Sequence, residues 1–257
     1  MSKAKQRFVE TTFEILQSEG LEGVSIRRVA TKLGVTSAAL YKHFTDIDHL
    51  IAVSSVGFLR EYIEDARVLS ELELFPLELN LQLWESLSYH AFQHASIIEK
   101  LYFDSSHIGD TRKIVNEYYE LYPSEIKDMK DYMIAMLTND TMIERNEILL
   151  THAAESGILR LDRIDFLNKS DIYIFRGILA SCKDTDLPAN FAIEKSNEFM
   201  NLLSTNYASC LTGQYRITPA KPPKSHMNAM SREGIRNAYI LTYRKNDNLH
   251  ISEESGS

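Results

Sequence analysis

Glycine and proline are scarce, at ten and six among 257 residues, so few positions interrupt a helix. Two cysteines, Cys182 and Cys210, are too few for a disulfide framework in a chain this long. They read as buried thiols in a reducing compartment, and the cytoplasm is expected. No apolar run approaches the ~20 residues that span a bilayer, so no membrane partner is expected. The opening residues MSKAKQRFVETTF are basic but lack an apolar stretch and do not read as a secretory signal. A glycine-rich phosphate loop is missing, which removes the nucleotide-binding classes, and no internal repeat occurs. Metal chemistry lacks its ligands as well. His90 and His94 share a helix face, but the residues between them lack the glutamate of an HExxH pair and no third ligand is evident. We therefore expect no metal, no cofactor and no enzymatic activity.

What remains is apolar residues recurring at three- and four-residue spacing, which predicts an all-α fold. In KQRFVETTFEILQSEG, Phe8, Thr12, Ile15 and Leu16 fall on one face, and Gly20 ends the helix. Ser25 caps a second helix ending near Leu33, and Thr36 or Ser37 caps a third running to His43 or Phe44. Asp46 caps a long fourth helix through HLIAVSSVGFLREYIEDARVL. Pro76 opens another that is read as continuous through EKLYF, and further helices follow, including SEIKDMKDYMIAML after Pro123. From RITPAKPPKSHM onward, prolines and basic residues predict a linker, followed by either a small hairpin around Asn246–Asn248 or a disordered tail. The chain thus divides into residues 1–47, a reading head; 48–214, a helical body; and 215–257, linker and tail.

The net charge of −8 argues against a nucleic-acid partner until its distribution is considered. Residues 1–50 hold seven Lys and Arg against six Asp and Glu, whereas the rest of the chain holds 21 against 30. Phosphate contacts are local, so an acidic body does not exclude DNA at the head. Within SIRRVATKLGVTSAALYKHF, Ala30 is a small contact residue and Gly34 permits the left-handed bend of a helix-turn-helix. Val29, Leu33, Val35 and Leu40 are expected to bury a shared face, closed by Phe8, Phe13 and Leu16 and capped by Phe44. The second helix of such a motif offers its first residues to the major groove. Here these are Thr36, Ser37, Ala38 and Ala39, short hydroxyls and methyls able to approach base edges. Tyr41, Lys42 and His43 suit phosphate oxygens, and Arg27 and Arg28 are placed to grip the flanking backbone.

VSIRRVATKLGVTSAALYKHF resembles the tetracycline-repressor (TetR) family of regulators, in its hydroxyl cap, small residue, LGV turn and LYKHF ending. GILRLD at Gly157–Asp162 and FRGIL at Phe175–Leu179 resemble the end of the family's ligand-binding domain. The resemblance implies a homodimer with N-terminal DNA-binding domains and helical domains that bind a small effector. It places Thr36, Ser37, Tyr41, Lys42 and His43 at a double-stranded operator, with Ser25 at a backbone phosphate. The sequence departs from the family at Ile47, where a phosphate-binding lysine is usual. Asp46 and Asp48 flank it, and His49 is the nearest compensating group.

In the body, Trp84, Tyr89, Phe92, Tyr102 and Phe103 are candidate linings of an effector pocket, although aromatics at helical spacing are more often core. Ile174, Ile178, Phe191, Phe199, Leu202 and Leu203 lie on the last two long helices and are candidates for an isologous four-helix dimer interface. Half-sites recur about every 34 Å along the major groove, so an effector that moves the fourth helix is expected to release the operator. These features together predict a ligand-responsive repressor. The competing reading is a helical adaptor or a metal- or ligand-binding protein with weak or lost DNA binding, the adaptor motivated by the acidic start of the fourth helix.

Overall fold

Helix follows helix from Lys3 to Cys210 in the computed structural model, which describes residues 3–104, 111–139, 141–183, 190–220 and 238–243. The first 47 residues hold α1 (Lys3–Glu19), α2 (Ile26–Leu33) and a 3₁₀ segment (Ser37–Lys42), and α3 (Ile47–Ser55) follows them. The body comprises α4 (Arg60–Ser70), α5 (Pro76–Gln93), α6 (Ala95–Phe103), α7 (Thr111–Leu121), α8 (Asp131–Leu137), α9 (Met142–Glu155), α10 (Ile164–Ser181) and α11 (Phe191–Cys210). Among the described residues, no helix is long and apolar enough to cross a membrane.

Helix α5 is the axis of the body, buried from Leu77 to Phe92 and packed against α4, α9 and α11. Pro76 starts it with φ already fixed. Glu78 reaches back to accept the Phe75 N–H at 3.0 Å. Such a helix must satisfy the polar groups it carries inward. Ser88 pairs with Ser196 of α11 at 2.7 Å, and Ser86 donates to Asp65 of α4 at 2.7 Å. Phe92, Phe175 and Phe199 add an aromatic cluster, with Trp84 5.4 Å from both Phe175 and Phe199.

Four local expectations change. The helix opened by Pro76 stops at Gln93, and α6 begins anew at Ala95. His94 adopts non-helical backbone angles there, and its ring packs edge-on against Phe58 at 4.7 Å. The helix capped by Asp46 tightens to 3₁₀ over Val56–Leu59. There Gly57 lets Phe13 of α1 approach so closely that an added Cβ would lie 2.9 Å from its ring. The segment after Pro123 makes only a 3₁₀ turn at Pro123–Glu125 and becomes α-helical at Asp131, beyond Asp128 with its left-handed φ of 65°. Finally, RITPA is not a linker. It forms most of β1 (Tyr215–Ala220), antiparallel to β2 (Ala238–Tyr243), and the Leu241 N–H on β2 donates to Glu78 at 2.6 Å. The turn expected at Asn246–Asn248 lies outside the described residues.

A buried polar network crosses the body. Asn146 of α9 accepts from Asn80 Nδ2 at 2.8 Å and Trp84 Nε1 at 2.9 Å, and donates to Asp171 of α10 at 2.9 Å. The Tyr207 hydroxyl lies 2.6 Å from Asp171 Oδ2 and 2.8 Å from Asn80 Oδ1, two acceptors for one proton. A protonated Asp171 resolves this count by donating to the Tyr207 oxygen while Tyr207 donates to Asn80. Burial pushes the Asp171 carboxyl up to about 7, although hydrogen bonds from Tyr207 and Asn146 oppose the shift. The folded chain therefore holds this proton more tightly than the unfolded chain between about pH 4 and 7. Stability from this group falls as pH rises through that window, by up to roughly 4 kcal/mol, and levels off above it. Asp171→Asn keeps a neutral donor in place and should flatten this dependence. Urea unfolding at pH 5 and pH 8 checks it, and an unchanged pH dependence in the variant would contradict a protonated Asp171.

Candidate nucleic-acid interface and its coupling to the body

The turn between α2 and the 3₁₀ segment is set by its own residues. Ser25 caps α2 by accepting the Arg28 N–H at 3.3 Å. Gly34 ends it with φ 69° and ψ 33°, the left-handed conformation that favours glycine. The Val35 N–H then closes on the Ala30 carbonyl at 3.0 Å. Val35 itself is 39% exposed, so it does not share the buried face expected of it: it lies on the outside of the turn. The segment that follows was expected as an α-helix and is instead the tighter 3₁₀ form. Leu40 is its anchor, fully buried beside Val29, Phe8 and Phe44 in one core and worth roughly 1.5–3 kcal/mol.

With Leu40 held inward, the opposite side faces solvent. Thr36, Ser37, Ala38 and Lys42 are exposed, and Tyr41 is 57% exposed. His43 is half-buried, its ring 5.9 Å from Phe8, so it is partly withdrawn from that surface. The cations divide in two. Arg28 pairs with Glu19, and Lys32 with Glu14 at 3.2 Å. Arg27 and Lys42 are exposed and have no ion pair among the described residues, so their charges face outward.

The acidic start of α3 is used internally. Asp46 accepts the His49 N–H at 2.8 Å as the helix cap, and Asp48 pairs with Lys100 of α6 at 2.9 Å. His49 does not compensate for the missing lysine, because its Nε2 lies 2.9 Å from Glu117 of α7. Lys5 of α1 meets the same carboxylate at 2.8 Å and sits over the Phe44 ring at 5.5 Å. Burial works to raise the Glu117 carboxyl, but hydrogen bonds from His49 and Lys5 prevail and hold it below its usual range. Gln6 adds a bond to the Leu121 carbonyl at 2.7 Å. Helices α1 and α3 are thereby fastened to α7. Nothing in the sequence signals this clamp, since its bonded partners are separated by up to 115 positions.

In the body, α4, α5, α6, α8 and α9 enclose a cavity of about 50 Å³. Trp84 and Tyr102 line it, with Tyr62, Asn80, Met136, Met142, Arg145, Asn146 and the leucines 83, 87, 137 and 149. Of the other candidates, Phe92 belongs to the aromatic cluster, Phe103 packs under Arg176 at 5.0 Å, and Tyr89 lies 5.1 Å from the His90 ring. The pocket's polar members escaped the sequence reading because aromatic spacing does not reveal them. His90 lies 3.3 Å from Glu61 and 3.4 Å from Asp65, and no group of three metal-ligating side chains occurs among the described residues.

The dimer candidates separate by burial. Phe199 and Leu203 are wholly inside the subunit and Ile178 nearly so, whereas Ile174 and Phe191 are half-buried and Leu202 is 46% exposed. Phe166 and Tyr173 of α10 are exposed as well, the latter 67% exposed. Their spacing on α10, i and i+7, was a signal that the sequence offered.

A three-helix head with an outward recognition segment, set on an all-helical body, defines a helix-turn-helix DNA-binding regulator. Residues 8–53 match the profile of bacterial regulatory proteins of the tetR family. The fold agrees with solved structures at low identity. A protein from a study of the molecular basis for control of antibiotic production by bacterial hormones aligns at TM-score 0.51 and 20% identity, over 82% of this chain and 100% of that one. RolR in complex with resorcinol gives 0.51 at 12%, over 80% and 91%. Thermus thermophilus FadR, a transcriptional repressor in complex with lauroyl-CoA, gives 0.50 at 14%, over 77% and 92%. No curated protein matches the chain.

The left-handed turn has a direct consequence. A methyl group at Gly34 meets nothing within 4 Å, so Gly34→Ala tests backbone strain alone. The expected cost is about 1–2 kcal/mol, read from the urea midpoint. An unchanged midpoint would contradict the turn conformation.

Proposed function

We propose that the chain is a ligand-responsive repressor that binds a palindromic operator as a homodimer and is released by a small effector. The observation that carries this reading is the recognition segment itself: buried through Leu40 on one side, exposed from Thr36 to Lys42 on the other. Its hydroxyls and methyls suit base edges. Arg27 and Lys42 supply phosphate contacts, and the Ser25 hydroxyl, already accepting from Arg28, keeps its proton for a phosphate oxygen. Against the adaptor reading, Asp46 caps α3 and Asp48 pairs with Lys100, so both acidic groups have a role within the protein.

Exposed Phe166, Tyr173 and Leu202 supply an apolar surface on the last two long helices for a two-fold partner. A two-fold dimer presents two recognition segments to two half-sites, hence the palindrome. The cavity among α4, α5, α6, α8 and α9 is the effector site. Its wall α6 grips α3 through Lys100 and Asp48, so a ligand that displaces α6 acts on the head. Similar folds hold resorcinol and lauroyl-CoA, which supports a body built to take small molecules.

Tyr41→Ala and Lys42→Ala should each abolish or strongly weaken retention of a duplex recovered by selection. Because both side chains are exposed, unfolding should change by less than about 0.5 kcal/mol. Lys42→Ala should also lower the slope of log affinity against log salt by about 1. Full retention of the duplex by both variants, in a filter or mobility-shift assay, would refute the assigned head.

A further inference from the structure

The cavity in the body contains a cation with no counter-ion among the described residues. Arg145 of α9 is half-buried and lines it, stacked over the Tyr102 ring at 5.0 Å. All of its partners are neutral: Nη1 donates to the Tyr102 hydroxyl at 2.8 Å, and Nε and Nη2 donate to the Asn139 carbonyl at 3.2 and 3.0 Å. Each terminal nitrogen thus retains an unused N–H. No carboxylate pairs with Arg145 among the described residues, and no acidic side chain lines the cavity. A partly desolvated guanidinium without a carboxylate is costly, and its planar fork matches one.

A second observation points the same way. Tyr62 of α4 is 7% exposed, lines the same cavity, and its hydroxyl has no hydrogen bond among the described residues. The amide and indole groups of Asn80, Asn146 and Trp84 are spent on one another and on Asp171 and Tyr207. The cavity's spare donors therefore include the unused N–H groups of Arg145 and the hydroxyls of Tyr62 and Tyr102. The remaining wall is apolar, and Met136 and Met142 can shift to enlarge a space of about 50 Å³.

We propose that this cavity takes a small apolar carboxylic acid as its anion, the carboxylate on Arg145 and Tyr62 and the hydrocarbon against Trp84, Met136 and Met142. The proposal rests on the effector reading of the cavity and names the chemical class of the effector. Trp84, the single tryptophan of the chain, reports occupancy through its fluorescence. The full-length protein is titrated with two matched pairs: phenylacetate against phenylacetamide, and octanoate against octanamide. The acids should bind at least tenfold more tightly than the amides. Arg145→Gln should abolish that preference. Tyr62→Phe, which removes only the hydroxyl, should weaken the acids three- to tenfold and leave the amides unchanged. Equal binding of acids and amides would overturn the acid class while leaving a neutral effector in place. So would a preference that survives both substitutions. No response of Trp84 to any of the four probes at millimolar concentration would overturn it together with the effector role of this cavity. Acids that bind through Arg145 without altering duplex retention would uphold the acid site and refute effector release instead.

Discussion

One half-buried carboxylate fixes the posture of the head. Glu117 on α7 meets Lys5 of α1 and His49 of α3, and Lys5 covers the Phe44 ring that closes the head's core. Exposed ion pairs contribute little, but this one is largely withdrawn from water and engages two elements at once. Removing a single partner would leave a charge stranded in a poorly hydrated site. The recognition segment is folded by Gly34 and Leu40, and its direction in space is set by Glu117.

The same helix connects the head to the cavity. Two positions along α7 from Glu117, the Tyr119 hydroxyl is pushed well up, first by burial and then by the neighbouring Tyr102, with Arg145 opposing. Tyr102 belongs to α6, which also holds α3 through Lys100 and Asp48. Of the helices that fasten the head, α6 therefore lines the proposed effector site, and α7 approaches its wall residue Tyr102 through Tyr119. Allostery requires two arrangements that a ligand binds unequally, and the clamped posture described here is one of them. In the proposed mechanism the other has α6 or α7 displaced and the head turned.

The head was legible in the sequence because its rules are local. A serine cap, a left-handed glycine and an aromatic-basic ending lie within twenty residues, and each has one backbone solution. The all-helical body was legible from its periodicity. Less visible were features that depend on distant partners. His94 breaks a helix because Phe58 lies beside it, and Gly57 tightens one because Phe13 presses in. RITPA reads as a linker until its strand partner, some twenty residues further along, is known. The cavity was only partly readable: aromatic spacing indicated Trp84 and Tyr102, whereas Arg145 and Tyr62 look like ordinary surface and core residues. Charge misled at α3, where Asp46 and Asp48 look repulsive to DNA but serve as a helix cap and an ion pair.

The central claim is that two copies of this chain hold their recognition segments at a set separation against one duplex. Selection of bound duplexes from a random pool, at a stated salt concentration, tests it most directly. The account predicts a two-fold symmetric consensus whose half-sites recur at one fixed spacing, as heads clamped through Glu117 require. Recovery of no enriched sequence, or of single half-sites at variable spacing, would contradict it.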